Sequence, residues 1–317
     1  MPAVDAAVTR LLTWFGEHGR RLPWRTERSP YRVVVSEFML AQTQVARVVP
    51  IFDRFVARFP SFAELAAAQR ADVVRAWQGL GYNSRAVRLH ALARAVCEQY
   101  GGALPSDLDA LLALPGVGRY TAGAIRAFAF DIDDVAADVN VRRVVQRTFF
   151  GVEWQHAAAA GEVDAVAAQL VAAGGGNAIN SALMDVGATL CRARAAKCLL
   201  CPLVRQCASA PIDAAQLAAA ARAGVRTRER FEDSTRYLRG RIVDALRGVA
   251  GNDALSIGEL YGRVSALAPG RSIEDVGNVA TALARDGVVA FDGERIALGH
   301  DGLPSGRAPG GRGRRRT

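Results

Sequence analysis

Four of the five cysteines in this 317-residue chain crowd into seventeen residues, and that crowding limits what the chain can build there. Cys191, Cys198, Cys201 and Cys207 are spaced C-x6-C-x2-C-x5-C. Thiolates so close in sequence can fold round one centre, either a structural zinc or a cubane iron–sulfur cluster. A zinc ribbon usually shows two C-x2-C knuckles. Here there is one, which leans towards iron–sulfur and leaves zinc open. Cys97, the fifth, sits in an apolar helical pattern and reads as a buried thiol. The chain shows no secretory leader and no run of about 18 apolar residues. The expected setting is therefore the cytoplasm, with no membrane span and thiols free for metal.

Alanine is abundant and β-branched runs are short, so the fold class expected is mostly α. Apolar spacing predicts a first helix over Val4–His18, then a basic loop holding Leu22-Pro23-Trp24-Arg25. Ser29-Pro30 opens a helical stretch from Tyr31 to Phe59, broken near Thr43. Further helices are expected at 70–78, 84–100, 107–113, 119–130, 139–150, 162–173 and 178–191. Residues 210–234 read as a linker with some helix. Beyond it come helices from Arg236, from the capping box Ser256-Ile257-Gly258-Glu259, and from Ser272. The run Val288–Phe291, Asp292-Gly293, Glu294–Leu298 signals a β-hairpin. Three helices and a hairpin spell a winged-helix-like α+β domain over 235–300. Residues 301–317 read as a disordered Arg/Gly-rich tail.

Three features carry chemistry. Leu114-Pro115-Gly116-Val117-Gly118, set between two helices, can present backbone N–H groups to a phosphate without a charged side chain. A plain glycine turn is the alternative. Glu37 has Val33, Val34, Leu40 and Ala41 on its own helical face, so its carboxyl is directed to the apolar side. Burial there would raise its pKa and keep a proton available near neutrality. A core glutamate paired with Arg25 or Arg32 competes evenly with that reading. Asp138 precedes a helix, and a simple N-cap is the favoured reading from spacing alone. Tyr120 could pack, and Gln42-Thr43-Gln44 could be loop.

Taken together, these segments resemble the helix-hairpin-helix DNA glycosylases, most closely the A/G-specific adenine glycosylases. The motifs run from Leu22–Arg25 through Val35–Val45, Gly79–Tyr82, Leu114–Gly118, Asp138–Val144 and Ala182–Ala188 to the four cysteines. The resemblance implies a two-lobed glycosylase domain over 1–209, with a [4Fe–4S] loop at 191–207 held by Cys191, Cys198, Cys201 and Cys207. It implies a base-excision repair enzyme acting on double-stranded DNA that holds a mismatch or 8-oxoguanine. Adenine opposite 8-oxoguanine or guanine would be flipped out and its N-glycosidic bond hydrolysed. Glu37 would be the general acid and Asp138 the group facing the oxocarbenium-like sugar, with Tyr120 and Asn140 assisting. Gln42, Thr43, Tyr82, Gly116, Val117 and Gly118 would contact DNA. Trp24, Arg25 and Ser181 would form the base pocket. A monomer is expected.

The lysine count sets a subclass. Thirty-nine of the forty basic side chains are arginine, and Lys197 is the sole lysine. Lyase-active relatives carry a Schiff-base lysine just after the hairpin, where this chain has Tyr120. A glycosylase without efficient strand cutting is expected. The sequence departs from the pattern at Ala41, Asn83, Val139 and Ser181, and 235–300 is too short for the 8-oxoguanine-reading domain of longer relatives. A thymine or uracil mismatch glycosylase is thus a second reading. A non-catalytic DNA-binding iron–sulfur regulator is a third. The net charge of +9 favours an anionic partner, although five of those charges are arginines of 307–317.

Overall fold

The computed structural model describes residues 2–223, 230–249 and 253–299. The expected tail at 301–317 and the middle of the expected linker, 224–229, lie outside the described residues. The fold is mostly α, and the expected helices are present with small shifts at their ends. Among the described residues no helix is long and apolar enough to cross a membrane. The chain packs as two compact units. One draws on Met1–Ala63 and Leu92–Arg228, the other on Glu64–Ala91 and Glu229–Thr317, as far as those spans are described.

In the first unit, local signals set the helix starts. Ser29 accepts the Arg32 N–H at 3.3 Å, and Pro30 opens the helix Pro30–Leu40. That helix stops before Gln42, whose backbone is left-handed (φ +62°), and Val45–Arg58 follows. Asp107 caps Leu108–Ala113 through the Ala110 N–H. Gly116, at φ +78°, then turns the chain into Arg119–Phe130. A residue with a Cβ is strained in that conformation, so the turn depends on glycine. The core gathers Leu11 of helix Pro2–His18, Val144, Leu170, Ile179 and Val186.

Three details differ from expectation. The stretch expected as helix to Phe150 is α only from Val139 to Val145, then widens into a π turn over Gln146–Phe150. Widening frees the carbonyls of Arg147 and Thr148, which accept N–H groups from Ser209 and Ala208 beside the cysteine loop. Part of the basic loop is a helical turn, Pro23–Thr26, begun by proline. Cys97 is half-buried rather than buried.

In the second unit, helices Thr235–Arg247, Ile257–Val264 and Ile273–Arg285 pack with a small antiparallel sheet. Its strands are β1 (Leu255–Ser256), β2 (Val289–Phe291) and β3 (Arg295–Leu298), in the order β1-β3-β2. The expected hairpin pairs Ala290 with Ala297, and Leu255 of β1 faces Ile296. Ser256 and Glu259 cap each other's backbone, as their spacing predicts. Residues Glu64–Ala91 join this unit through Arg247, whose guanidinium donates to the Val74 carbonyl (3.0 Å) and Asn83 Oδ1 (2.8 Å).

Candidate active site

A cavity of about 830 Å³ opens in the first unit, with Asn177, Met184 and Ala188 of helix Gly176–Thr189 forming one of its walls. Pro23–Thr26 brings Trp24 and Arg25. Pro30–Leu40 brings Glu37, and the break after it brings Gln42 and Thr43. Arg119–Phe130 contributes Tyr120, and the start of Val139–Val145 contributes Asp138 and Asn140. The site is thus assembled largely at helix ends, where capping geometry fixes side chains.

Glu37 is buried among the valines of its helix. Loss of water raises its carboxyl to about pH 7; a hydrogen bond from the Tyr120 hydroxyl opposes the rise, the Asp138 charge adds to it, and Arg25 opposes it. Tyr120 leaves more than a third of its surface exposed, yet its hydroxyl reaches in to Glu37. Burial, with the charges of Glu37 and Asp138, pushes that phenol well above its ordinary range, so it stays a neutral donor. Asp138 is the N-cap its position suggests. Oδ1 accepts the N–H groups of Asn140 (2.8 Å) and Val141 (2.7 Å), while Oδ2 accepts from the Asn140 carboxamide (2.8 Å). Three hydrogen bonds orient one carboxylate towards the cavity that Glu37 also lines.

Trp24 packs edge-on against Phe52. Arg25 reaches Asp185 through two nitrogens, at 2.8 and 3.1 Å, and Arg20 holds the same carboxylate through Nε and its backbone N–H. Burial alone would raise the Asp185 carboxyl, but the Arg25 and Arg20 contacts outweigh it and hold the group below the usual range. Arg20 and Asp185 escaped sequence reading because they pair across 165 residues. Ser181 is buried outside the cavity lining. One helical turn earlier, Asn177 lines the cavity instead, its amide near Asp131 (3.3 Å). The i, i+4, i+7 and i+11 spacing of 177, 181, 184 and 188 was the available signal, since Met184 and Ala188 also line it.

The hairpin residues Gly116, Val117 and Gly118 do not line the cavity. They sit directly before the helix that presents Tyr120. Tyr82 lies in the second unit, in a left-handed conformation (φ +45°) and 42% exposed.

Cys191, Cys198, Cys201 and Cys207 line a single cleft, together with Lys197, so the sole lysine is not at the cavity. Among the described residues no three metal-binding side chains close on a single-ion position. The donor chemistry of the cleft still suits a thiolate-held group. Burial raises the Cys191, Cys201 and Cys207 thiols, Cys201 to about 12, and thiolate neighbours add to the rise at each. Arg147 and the Ile212 N–H point at sulfurs at 3.9 and 3.5 Å. Arg143 ties this loop to the site. Its guanidinium donates to the Cys191 carbonyl (2.7 Å), the Gly187 carbonyl (2.8 Å) and Asn140 Oδ1 (2.8 Å).

Residues 35–165 match the family model of the HhH-GPD superfamily base excision DNA repair proteins. The adenine DNA glycosylase of Mycolicibacterium smegmatis is 41% identical over 239 residues, which is 75% of this chain and 79% of that one. That of Mycobacterium tuberculosis is 40% identical over 245 residues, 75% and 78% of the two chains. A solved thermostable thymine-DNA glycosylase overlays with a TM-score of 0.59 at 31% identity, over 65% of this chain and 96% of that chain. The chain therefore belongs to the HhH-GPD superfamily of base excision DNA repair proteins and, within it, to the adenine DNA glycosylases.

Proposed function

We propose that the enzyme hydrolyses the N-glycosidic bond of adenine placed opposite 8-oxoguanine or guanine in duplex DNA and leaves the strand uncut. The observation that carries this reading is a protonatable glutamate, tuned to about 7, sharing one cavity with an oriented aspartate. The flipped purine enters the cavity, and Glu37 protonates it as it leaves, so the departing base carries no negative charge. Asp138 faces the sugar carbon that becomes electron-poor. It stabilises the oxocarbenium-like state and can bond to it transiently before water adds. Asn140 keeps the Asp138 carboxylate turned to the sugar, and Tyr120 bridges towards Glu37. Trp24 and Arg25 wall the base. Asn177 supplies the amide that can pair with the N6 donor and N7 acceptor of adenine, a task the short Ser181 cannot reach. With Lys197 at the cysteine cleft, no lysine amine can form a Schiff base at the sugar. Gln42 of this unit and Tyr82 of the second are the proposed wedges into the base stack, Thr43 contacts DNA beside Gln42, and the Gly116–Gly118 turn grips a phosphate.

The four thiolates would hold a [4Fe–4S] cluster, which when bound would cross-link the 191–207 loop and offset the charge of the four sulfurs. The C-terminal helices and sheet are read as a winged-helix-like domain, and the protein as a monomer acting on DNA in the cytoplasm. Base release from duplexes holding A opposite 8-oxoguanine, A opposite G, T opposite G and U opposite G tests the reading. Adenine release from the first two supports it. Thymine or uracil release alone would favour the mismatch alternative, which the buried Ser181 keeps in view.

A further inference from the structure

The loop Gly79–Tyr82 is built to hold an aromatic ring at the surface. Gly79, Gly81 and Tyr82 all have positive φ. The Trp77 indole N–H donates to the Gly81 carbonyl, and Arg85 donates to the carbonyls of Leu80 and Gly81. The C-terminal helix Thr235–Arg247 of the same unit places Arg236 against this ring. Its Nη1 donates to Tyr82 Oη at 2.6 Å. The guanidinium lies 5.6 Å from the Tyr82 ring centre and 5.0 Å from that of Phe231, which is 48% exposed. Other arginines of the helix meet carboxylates: Arg239 pairs with Asp286, and Arg241 and Arg247 with Asp244. The recorded contacts of Arg236 are a phenol and two ring faces.

We propose that Arg236 is a DNA phosphate contact contributed by the C-terminal unit, held ready by Tyr82 and Phe231. A guanidinium has five N–H donors in a planar fork, and one of them suffices for Tyr82. Arg236 is itself exposed, beside two exposed rings that offer stacking area to a nucleic acid. Stacked on aromatics, the guanidinium loses less freedom on gripping a phosphate than a free arginine would, and it keeps its charge. The C-terminal unit would thereby take a direct hold on the duplex beside Tyr82. The proposal rests on the DNA-repair reading only for the class of ligand.

The full-length protein, Arg236→Ala and Arg236→Lys would be titrated onto a duplex carrying a stable abasic-site analogue, over a salt series, with anisotropy as readout. Arg236→Ala should weaken binding roughly five- to tenfold and lower the slope of log K against log salt by about one. Arg236→Lys should keep the slope and recover part of the affinity. Arg263→Ala, an exposed arginine elsewhere in the unit, should change neither. Arg236→Gln, which preserves a donor to Tyr82, carries the same expectation as the alanine should the latter melt early. Wild-type affinity and slope in Arg236→Ala and Arg236→Gln, or an equal loss in Arg263→Ala, would overturn the proposal. Adenine release by the wild-type enzyme alongside an unaffected Arg236→Ala sinks this inference alone. A lost slope in a protein releasing no adenine would instead sink the adenine reading.

Discussion

A carboxyl group donates a proton near neutrality only when its surroundings withhold its charge. Glu37 meets that condition by burial first, against the opposing pull of Tyr120 and Arg25. Single-turnover adenine release should therefore be level below about pH 7 and fall roughly tenfold per unit above it. Glu37→Gln should lose roughly 10²–10⁴-fold in rate below about pH 7, with the gap narrowing above it, while still binding DNA. Stability also falls as pH rises, over a lower range. The folded-state value lies above the unfolded one, so the wild type loses stability relative to Glu37→Gln as pH rises from about 4.5 to about 7, and the gap levels off above. Melting both proteins across that range would check the sign, with a gap of roughly 3–4 kcal/mol at pH 8. A flat rate profile through pH 8 would remove Glu37 as the acid. Gln42 shows the same exchange of stability for function in the backbone. It is one of three non-glycine residues with positive φ among those described, and Tyr82 is another. Such a conformation costs of order 1 kcal/mol and persists where the surroundings enforce it. Gln42→Gly should fold with unchanged or slightly higher stability yet release adenine more slowly, because the side chain that would enter the base stack is gone. Lower stability with full activity would contradict that role.

Helices bring these residues together, and one crossing decides how closely. Gly187 of helix Gly176–Thr189 lies against Asn140, and a Cβ added there would stand 2.6 Å from the Asn140 Cβ and 3.0 Å from its carbonyl oxygen. Gly187→Ala must push the start of helix Val139–Val145 away, and with it the Asn140 bonds that aim Asp138. A displacement of about 1 Å at a reacting group can cost 10²-fold, so kcat should drop by about that much with a modest loss of stability, roughly 1–3 kcal/mol. An active, normally stable Gly187→Ala would show that the crossing is loose. Helix starts were legible in the sequence because caps act locally: Ser29, Asp107, Asp138 and Ser256 each accept an N–H within three residues. Glu37 was legible as an inward-facing carboxyl from apolar periodicity, whereas Tyr120 was marked only by the family resemblance. The π turn after Val145 was not, since the partners of its freed carbonyls, Ala208 and Ser209, lie about sixty residues away in the chain. Nor was Asn177, which lines the cavity one helical turn before the buried Ser181. The two-residue β1 carries no periodicity at all and exists by pairing with β3.

At the scale of the whole chain, sequence order and spatial grouping part company. Residues Glu64–Ala91, which separate two segments of the catalytic unit, pack with the C-terminal unit through contacts such as Arg247 on Val74 and Asn83. No local pattern encodes that, because a single guanidinium reaching two groups more than 160 positions away leaves no mark near itself. Charge is the one whole-chain property that composition does give, and its distribution is uneven. Of the net +9, five charges are the arginines at 307, 312, 314, 315 and 316, so the remainder of the chain carries a modest excess. Each phosphate neutralised by such a residue releases a counterion and contributes about 0.9 to the slope of log K against log salt. If all five arginines engage the duplex, deleting 307–317 should lower that slope by up to about four and weaken binding at low salt far more than near 0.2 M. Selectivity among opposite bases should be untouched, because contacts to phosphate carry no sequence information. The measurement is the salt titration of the truncated enzyme on matched and mismatched duplexes. An unchanged slope would mean that the grip on DNA belongs wholly to the rest of the chain, leaving the hairpin and Arg236 to account for it.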